Sequence, residues 1–96
     1  MNVVDLAQHE IDSLIDGLFL SSQQRRFIQY VATNPHSLTV VVNRATAIGN
    51  ISYVASRVNE KLMPLGYVIA CVRPSESIYN RFGEPSRMYE WSMFKL

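Results

Sequence analysis

The sequence contains a single cysteine, Cys71, and no long apolar run. One cysteine excludes an internal disulfide framework and the metal sites that are built from several cysteines. No segment approaches the roughly 20 apolar residues of a membrane-spanning helix, and the first residues lack the pattern of a signal peptide. These absences predict a cytoplasmic protein. Because Cys71 lies in the apolar segment 67–72, we expect it to be a buried structural thiol.

Residue patterns typical of catalytic and cofactor sites are also missing. The histidines His9 and His36 have no evident partners, and the chain has no glycine-rich phosphate loop and no metal-ligand spacing. His9 and the acidic residues after it superficially resemble a metal cluster, but such side chains on an acidic helix usually face solvent. We therefore expect no enzymatic activity, no cofactor, no bound metal and no small-molecule substrate.

Basic residues are absent from the first 20 positions, where four acidic residues give a charge of −4. Residues 21–96 contain all nine Lys and Arg against four Glu, which gives +5. An acidic lead segment on a moderately basic body is compatible with nucleic-acid binding, although many neutral domains have an imbalance of this size. The length of 96 residues corresponds to one small domain.

An amphipathic helix is predicted at the start of the chain, from about Val3 to Asp16, with Gly17 ending it. Residues 1–18 thus form an acidic N-terminal helix within the single domain 1–96. Such a helix either packs on its own domain or pairs with a second copy, so a homodimer through it is one expectation. Its apolar stripe comprises Val4, Ala7, Ile11, Leu14, Ile15 and Leu18.

Two further helices are indicated in the middle of the chain. Ser21 and Gln24 fit a capping box, which predicts the start of the second helix. Leu38 predicts a stub of strand, and a short third helix is expected from about Val40 to Ile48. A turn at Gly49-Asn50 then leads into another helix, and this order is typical of a helix-turn-helix.

The stretch 50–67 predicts the helix around which the rest of the chain is organised. Asn50 or Ser52 can cap its start, Pro64 should end the regular helix near Met63, and Gly66 suits a left-handed stop. One side of the helix is apolar at helical spacing, through Ile51, Val54, Ala55, Val58, Leu62 and Leu65.

Two strands are predicted by composition after this helix, at 67–73 and at 87–96. The segment 74–86 between them has proline at both ends and forms a long loop, and loops of that length are often functional. The loop contains Ile78, Tyr79 and Phe82 beside Arg81, a mixture that suits contact with a partner.

Helices followed by a hairpin, with a helix-turn before the last helix, resemble a winged helix-turn-helix domain. The nearest pattern is the effector domain of OmpR/PhoB-type transcription regulators. Residues 20–28 resemble its opening helix, and residues 52–73 resemble its recognition helix with the first wing strand. The wing loop is longer here, an acidic helix replaces the family's preceding sheet, and the chain has no receiver domain. The resemblance covers roughly residues 20–96.

The resemblance implies an α+β fold with three to four helices followed by a two-stranded β-hairpin wing with a long loop. It implies DNA binding, but not regulation by phosphorylation. With the +5 charge of residues 21–96, the leading expectation is a sequence-specific, double-stranded DNA-binding protein, a small and dimeric transcription regulator. The last helix would lie in the major groove, where base contacts fall to Ser52, Tyr53, Ser56 and Arg57. Phosphate contacts would fall to Lys61, Arg44, Arg25 and Arg26, with Arg81 or Arg87 contacting backbone or minor groove from the wing.

The alternative is a protein-interaction module that uses the same fold without DNA, through the N-terminal helix and the long wing. Winged helices serve both purposes, and fold alone does not fix function. Each Lys or Arg named above can also be an ordinary solvated charge. If Arg44, Arg57 and Lys61 do not share one face with the wing arginines, protein binding is favoured over DNA binding.

Overall fold

A computed structural model describes residues 2–4, 6–72 and 89–96 of the chain. These residues form a small α+β fold, as predicted from the sequence. The helices are α1 Gln8–Asp16, α2 Ser22–Thr33, α3 Thr39–Thr46 and α4 Ile51–Leu62, and a short 3-10 helix covers Met63–Leu65. The strands are β1 Asn2–Val3, β2 Ser37–Leu38, β3 Tyr67–Val72 and β4 Glu90–Lys95. Within the described ranges, none of the helices combines the length and apolar character that spanning a bilayer requires.

Strand β4 lies at the centre of a four-stranded antiparallel sheet. Strand β3 pairs along the whole of one edge of β4, from Tyr67 opposite Lys95 to Val72 opposite Glu90. The other edge of β4 is shared, with β1 at its end and β2 at its start. The sheet therefore contains more than the predicted two-stranded hairpin. The predicted loop 74–86 and residues Arg73, Arg87 and Met88 lie outside the described residues.

The predicted start of the first helix at Val3 is wrong. Asn2 and Val3 pair with the end of β4, and the Val4 N–H donates to the Met93 carbonyl at 2.8 Å. Helix α1 begins only at Gln8, after an extended Ala7, and it ends at Asp16 as predicted. Val4 is buried, so it fitted the apolar stripe of a helix although it follows a strand.

The predicted capping box of α2 is confirmed. The Ser21 hydroxyl accepts from the Gln24 N–H, and the Gln24 side chain accepts from the Ser21 N–H, both at 3.1 Å. The stub of strand at Leu38 and the short helix after it are confirmed too, although α3 runs from Thr39 to Thr46. The first turn of α3 is joined to β4, because the Trp91 indole N–H donates to the Thr39 hydroxyl at 2.8 Å.

One hydrophobic core joins the helices to the sheet. The rings of Phe27 in α2 and Trp91 in β4 meet edge to face, with centroids 6.2 Å apart. Ile11 and Ile15 of α1 are buried in the same core, so the apolar stripe of the N-terminal helix packs within its own chain. The other fully buried core side chains include Ile28, Val31, Val42, Val58, Leu62, Ile69 and Met93.

Helix α4 ends where Pro64 predicts. The regular helix stops at Leu62, the 3-10 turn contains Pro64, and Gly66 follows with a left-handed φ of 89°. The predicted apolar stripe is buried from Ile51 to Leu62, but Leu65 is 50% exposed. The helical period no longer applies at Leu65, because the backbone has changed to a tighter helix.

A single side chain joins α4 to the outer edge of β3. The Asn59 amide oxygen accepts from the Ile69 N–H, and the Asn59 amide nitrogen donates to the Ile69 carbonyl, both at 2.8 Å. We refer to this pair of hydrogen bonds as the Asn59 bridge. It satisfies edge-strand backbone groups as a neighbouring strand would, and it fixes the position of α4 relative to the sheet.

The prediction that Cys71 is buried is wrong, because its thiol is exposed. Ile69 is the buried residue of β3, and both Cys71 and Val72 are exposed beyond it. The apolar composition of the segment indicates a strand but not how far the core covers that strand.

Replacing Asn59 with alanine should lower the free energy of unfolding by about 2 kcal/mol, because two partly buried backbone groups of Ile69 lose their partners. Asn59→Asp keeps the acceptor but loses the donor, so it should destabilise the fold as well. Urea unfolding followed by circular dichroism measures both changes. Ser56→Ala, on the exposed face of the same helix, is the control and should stay within about 0.5 kcal/mol of the native protein. An Asn59→Ala variant as stable as this control would contradict the structural role of the bridge.

Candidate nucleic-acid interface

The outward face of α4 is set by the burial of its opposite side. Ile51, Val54 and Val58 point into the core, so Ser52, Tyr53, Ser56, Arg57 and Glu60 are all exposed. The start of the helix is fixed by Asn50, whose side chain accepts from the Tyr53 N–H at 3.1 Å. This confirms Asn50 as the cap and gives the first half of α4 a defined surface.

Tyr53, Arg57 and Glu60 form a contiguous group on this face. The Arg57 Nε–H donates to the Tyr53 hydroxyl at 3.3 Å, and the guanidinium carbon lies 5.5 Å from the Tyr53 ring centroid. The Arg57 Nη1 lies 3.7 Å from the Glu60 carboxylate. Residues four and three positions apart meet on a helix surface, so the spacing of this trio produces the contacts directly.

The hydrogen bond to Tyr53, together with the Glu60 carboxylate, raises the pKa of the Arg57 guanidinium above its ordinary value. Arg57 is therefore a permanent cation on a side chain that is 53% exposed. Its Nε is occupied by Tyr53, which leaves the outer N–H groups as donors toward solvent. Glu60 offsets the formal charge of Arg57, so the trio carries no net charge.

Lys61 follows Glu60 in α4, but it contacts residues outside that helix. Its ammonium donates to the Phe19 carbonyl, lies 3.5 Å from the Gln24 side-chain oxygen, and sits 5.9 Å from the Phe19 ring centroid. Lys61 thus joins α4 to the connection between α1 and α2, away from the Tyr53–Arg57 contact.

The arginines of α2 and α3 have separate environments. Arg25 lies 3.7 Å from the Asp16 carboxylate, and the Arg26 Nε–H donates to the Thr46 carbonyl at 3.0 Å. Arg44 is exposed in the last turn of α3, and no other described residue forms an ion pair with it. Arg81 and Arg87 lie outside the described residues. The structure therefore brings Tyr53 and Arg57 together, but it gives Lys61, Arg25 and Arg26 contacts within the fold.

Two contacts of α4 were not predicted from the sequence. The spacing of Arg57 and Glu60 was a local signal that the two side chains pair. The Asn59 bridge had no such signal, because its partner Ile69 lies ten residues further on, in a strand. Among the residues that the structure describes, no group of three or more His, Cys, Asp or Glu is arranged to hold a metal ion.

Comparison with known proteins assigns no family to this chain. No protein-family model, no curated protein and no solved structure matches it. Its function has to be inferred from its own residues.

Removing the Tyr53 hydroxyl by Tyr53→Phe should free the Arg57 Nε–H, because the ring remains while its hydrogen-bond acceptor is lost. We expect faster exchange of this proton with water, measured by ¹⁵N-edited NMR of the arginine side chains. Stability should change by less than about 0.5 kcal/mol, since the contact is on the surface. Tyr89→Phe removes the hydroxyl of another exposed tyrosine and should leave Arg57 unaffected. Unchanged exchange in Tyr53→Phe would mean that the contact does not hold in solution.

Proposed function

We propose that this chain is a double-stranded DNA-binding protein, a small sequence-specific transcription regulator of the winged helix-turn-helix type that acts in the cytoplasm. The order α2, β2, α3, α4, β3, β4 supports this, because it is the order of helix, short strand, two helices and hairpin expected of that domain. The pairing of β2 with the second hairpin strand supports it as well. In this proposal α4 lies in the major groove.

The observation that carries the proposal is the Tyr53–Arg57 pair on the first half of α4. An arginine can donate two hydrogen bonds to the O6 and N7 atoms of guanine, the commonest specific contact in the major groove. Tyr53 already holds the Arg57 side chain in one position, so less conformational freedom is lost on binding. Ser52 and Ser56 lie on the same outward face and can donate to or accept from neighbouring bases.

The hairpin contributes through the Asn59 bridge, which joins α4 to β3 without a flexible connection. A helix in one groove and a hairpin beside it would then approach DNA as one rigid unit. We propose that Arg81 and Arg87 contact backbone phosphates or the minor groove from this hairpin.

The remaining cations would contact phosphates, and they differ in how many existing contacts each would have to give up. Arg44 is exposed and can bind a phosphate directly. Lys61, Arg25 and Arg26 already have partners within the fold, so a phosphate would have to share or displace those contacts. We therefore expect Arg57 and Arg44 to contribute more to affinity than these three residues.

A protein-interaction module is the second candidate, and two observations favour it. Phe19, Val40 and Val41 are large apolar side chains exposed to solvent, and Glu60 removes positive charge from the outward face of α4. Exposed apolar residues mark protein interfaces where they join into a contiguous patch. The outward surface of α1 is polar and acidic, so a partner using that helix would contact charged side chains.

The test is a fluorescence anisotropy titration with duplexes enriched from a random pool. Binding should weaken with salt along a negative log-log slope, because phosphate contacts release counterions. Arg57→Ala should lower affinity for the enriched site about tenfold or more, the effect expected when a bidentate base contact is lost. Arg25→Ala, the control at a half-buried arginine of α2, should cause a smaller loss that is equal for all sequences.

Absence of measurable binding to any duplex at low salt would contradict the proposal. Unchanged affinity in Arg57→Ala would contradict the assignment of α4 as the helix that contacts bases.

A further inference from the structure

Phe19 is the most exposed large apolar side chain among the described residues, with 95% of its surface accessible. It lies in the connection between α1 and α2, where Leu18 and Leu20 on either side pack against the core. Lys61 holds the residue in place, because its ammonium bonds the Phe19 carbonyl and lies over the Phe19 ring. The Phe19 ring therefore points outward while Lys61 contacts both its backbone and its ring.

Single exposed apolar residues are common on protein surfaces and need no function. A phenylalanine that is both fully exposed and fixed by contacts resembles the aromatic anchors that dominate the energetics of protein interfaces. Such an anchor requires a pocket on its partner.

A pocket of suitable character lies at the opposite end of α1. It has a volume of about 460 Å³ and is lined by residues of β1, the segment before α1, the start of β3 and the end of β4. Its lining is mixed, because Asn2 and Lys95 lie beside the apolar residues, and Lys95 supplies a cation at its edge. Leu96 is 57% exposed there, so the apolar surface is open to a partner. The apolar lining residues are Val3, Val4, Leu6, Tyr67 and Leu96.

The anchor and the pocket flank the same helix. Leu6 precedes α1 by two residues and Phe19 follows it by three, and nine helical residues span about 13 Å. A two-fold dimer needs a self-complementary surface, in which one patch supplies both the projecting group and the site that receives it. Two copies with their α1 helices antiparallel would bring each Phe19 to the partner's pocket.

The charges at the two ends of α1 are also complementary. Asp16 lies three residues before Phe19, and its side chain is 78% exposed despite its contact with Arg25. Lys95 lies at the edge of the pocket and is exposed. Insertion of Phe19 would bring Asp16 toward the partner's Lys95. This attraction between opposite charges favours a second copy of the chain as the partner.

We propose that the chain forms a two-fold dimer in which Phe19 of each protomer fills the pocket beside Lys95 of the other. This dimer does not depend on the α4 surface and forms without DNA. A homodimer through the N-terminal helix was one expectation from the sequence. In the proposed dimer the contacts lie at the two ends of that helix, because its apolar stripe is buried within its own chain.

Sedimentation equilibrium of the full chain without DNA, over a range of concentrations, tests the proposal. The native chain should show a concentration-dependent monomer–dimer equilibrium. Phe19→Ser should raise the dissociation constant about tenfold or more, because the anchor is lost from both halves of the interface. Val72→Ser makes the same kind of change at another exposed apolar residue, at the end of β3 away from the pocket, and should leave the dissociation constant unchanged.

A charge reversal tests the second contact independently. Lys95→Glu should weaken the dimer by placing like charges together, and Asp16→Lys in the same chain should restore it. If the single substitutions only disturbed the folding of the protomer, the double variant would not recover the native dissociation constant.

A chain that remains monomeric at the highest concentration would overturn the proposal, and so would a Phe19→Ser dimer as stable as the native one. Failure of DNA binding would instead contradict the proposed function and leave the dimer intact, so the two results are distinguishable.

Discussion

The two hydrogen bonds between Asn59 and Ile69 are the constraint on which the candidate interface depends. Strand β3 has β4 on one edge, and Asn59 meets backbone groups of Ile69 on the other. Through this bridge the sheet fixes how α4 is placed on the core. The buried side of α4 then decides which residues face outward, so the position of Arg57 follows from a contact made on another side of the helix.

This arrangement separates the groups that build the fold from those that remain available to a partner. Lys61 and Arg26 donate to backbone carbonyls of neighbouring elements, so part of the positive charge of the chain serves the packing of helices. Among the described residues, Arg57 forms side-chain contacts with Tyr53 and Glu60 of its own helix. In the proposed complex with DNA, a surface that depends on one oriented arginine would favour selectivity over strong general attraction to phosphate.

The features that could be predicted from the sequence are those decided by neighbouring residues. Ser21 with Gln24, Asn50 and Pro64 mark helix ends through contacts within a few positions, and each acts as expected. The pairing of Asn2 and Val3 with β4, the exposure of Cys71 and the contacts of Lys61 depend on residues far away in the chain. Composition and periodicity do not contain that information, so the outward face of α4 was predictable, whereas the surroundings of its cations were not.

The central position of β4 also determines when the sheet can form. Within the described residues, β1, β2 and β3 find their strand partner in β4, and β1 lies more than ninety residues before the segment that it joins. The hydrogen bonds of each helix join residues close in the chain, but the strands cannot pair until β4 has left the ribosome. Pairings that close such long loops are slow, so the unpaired edges of β2 and β3 are exposed until the last step of folding.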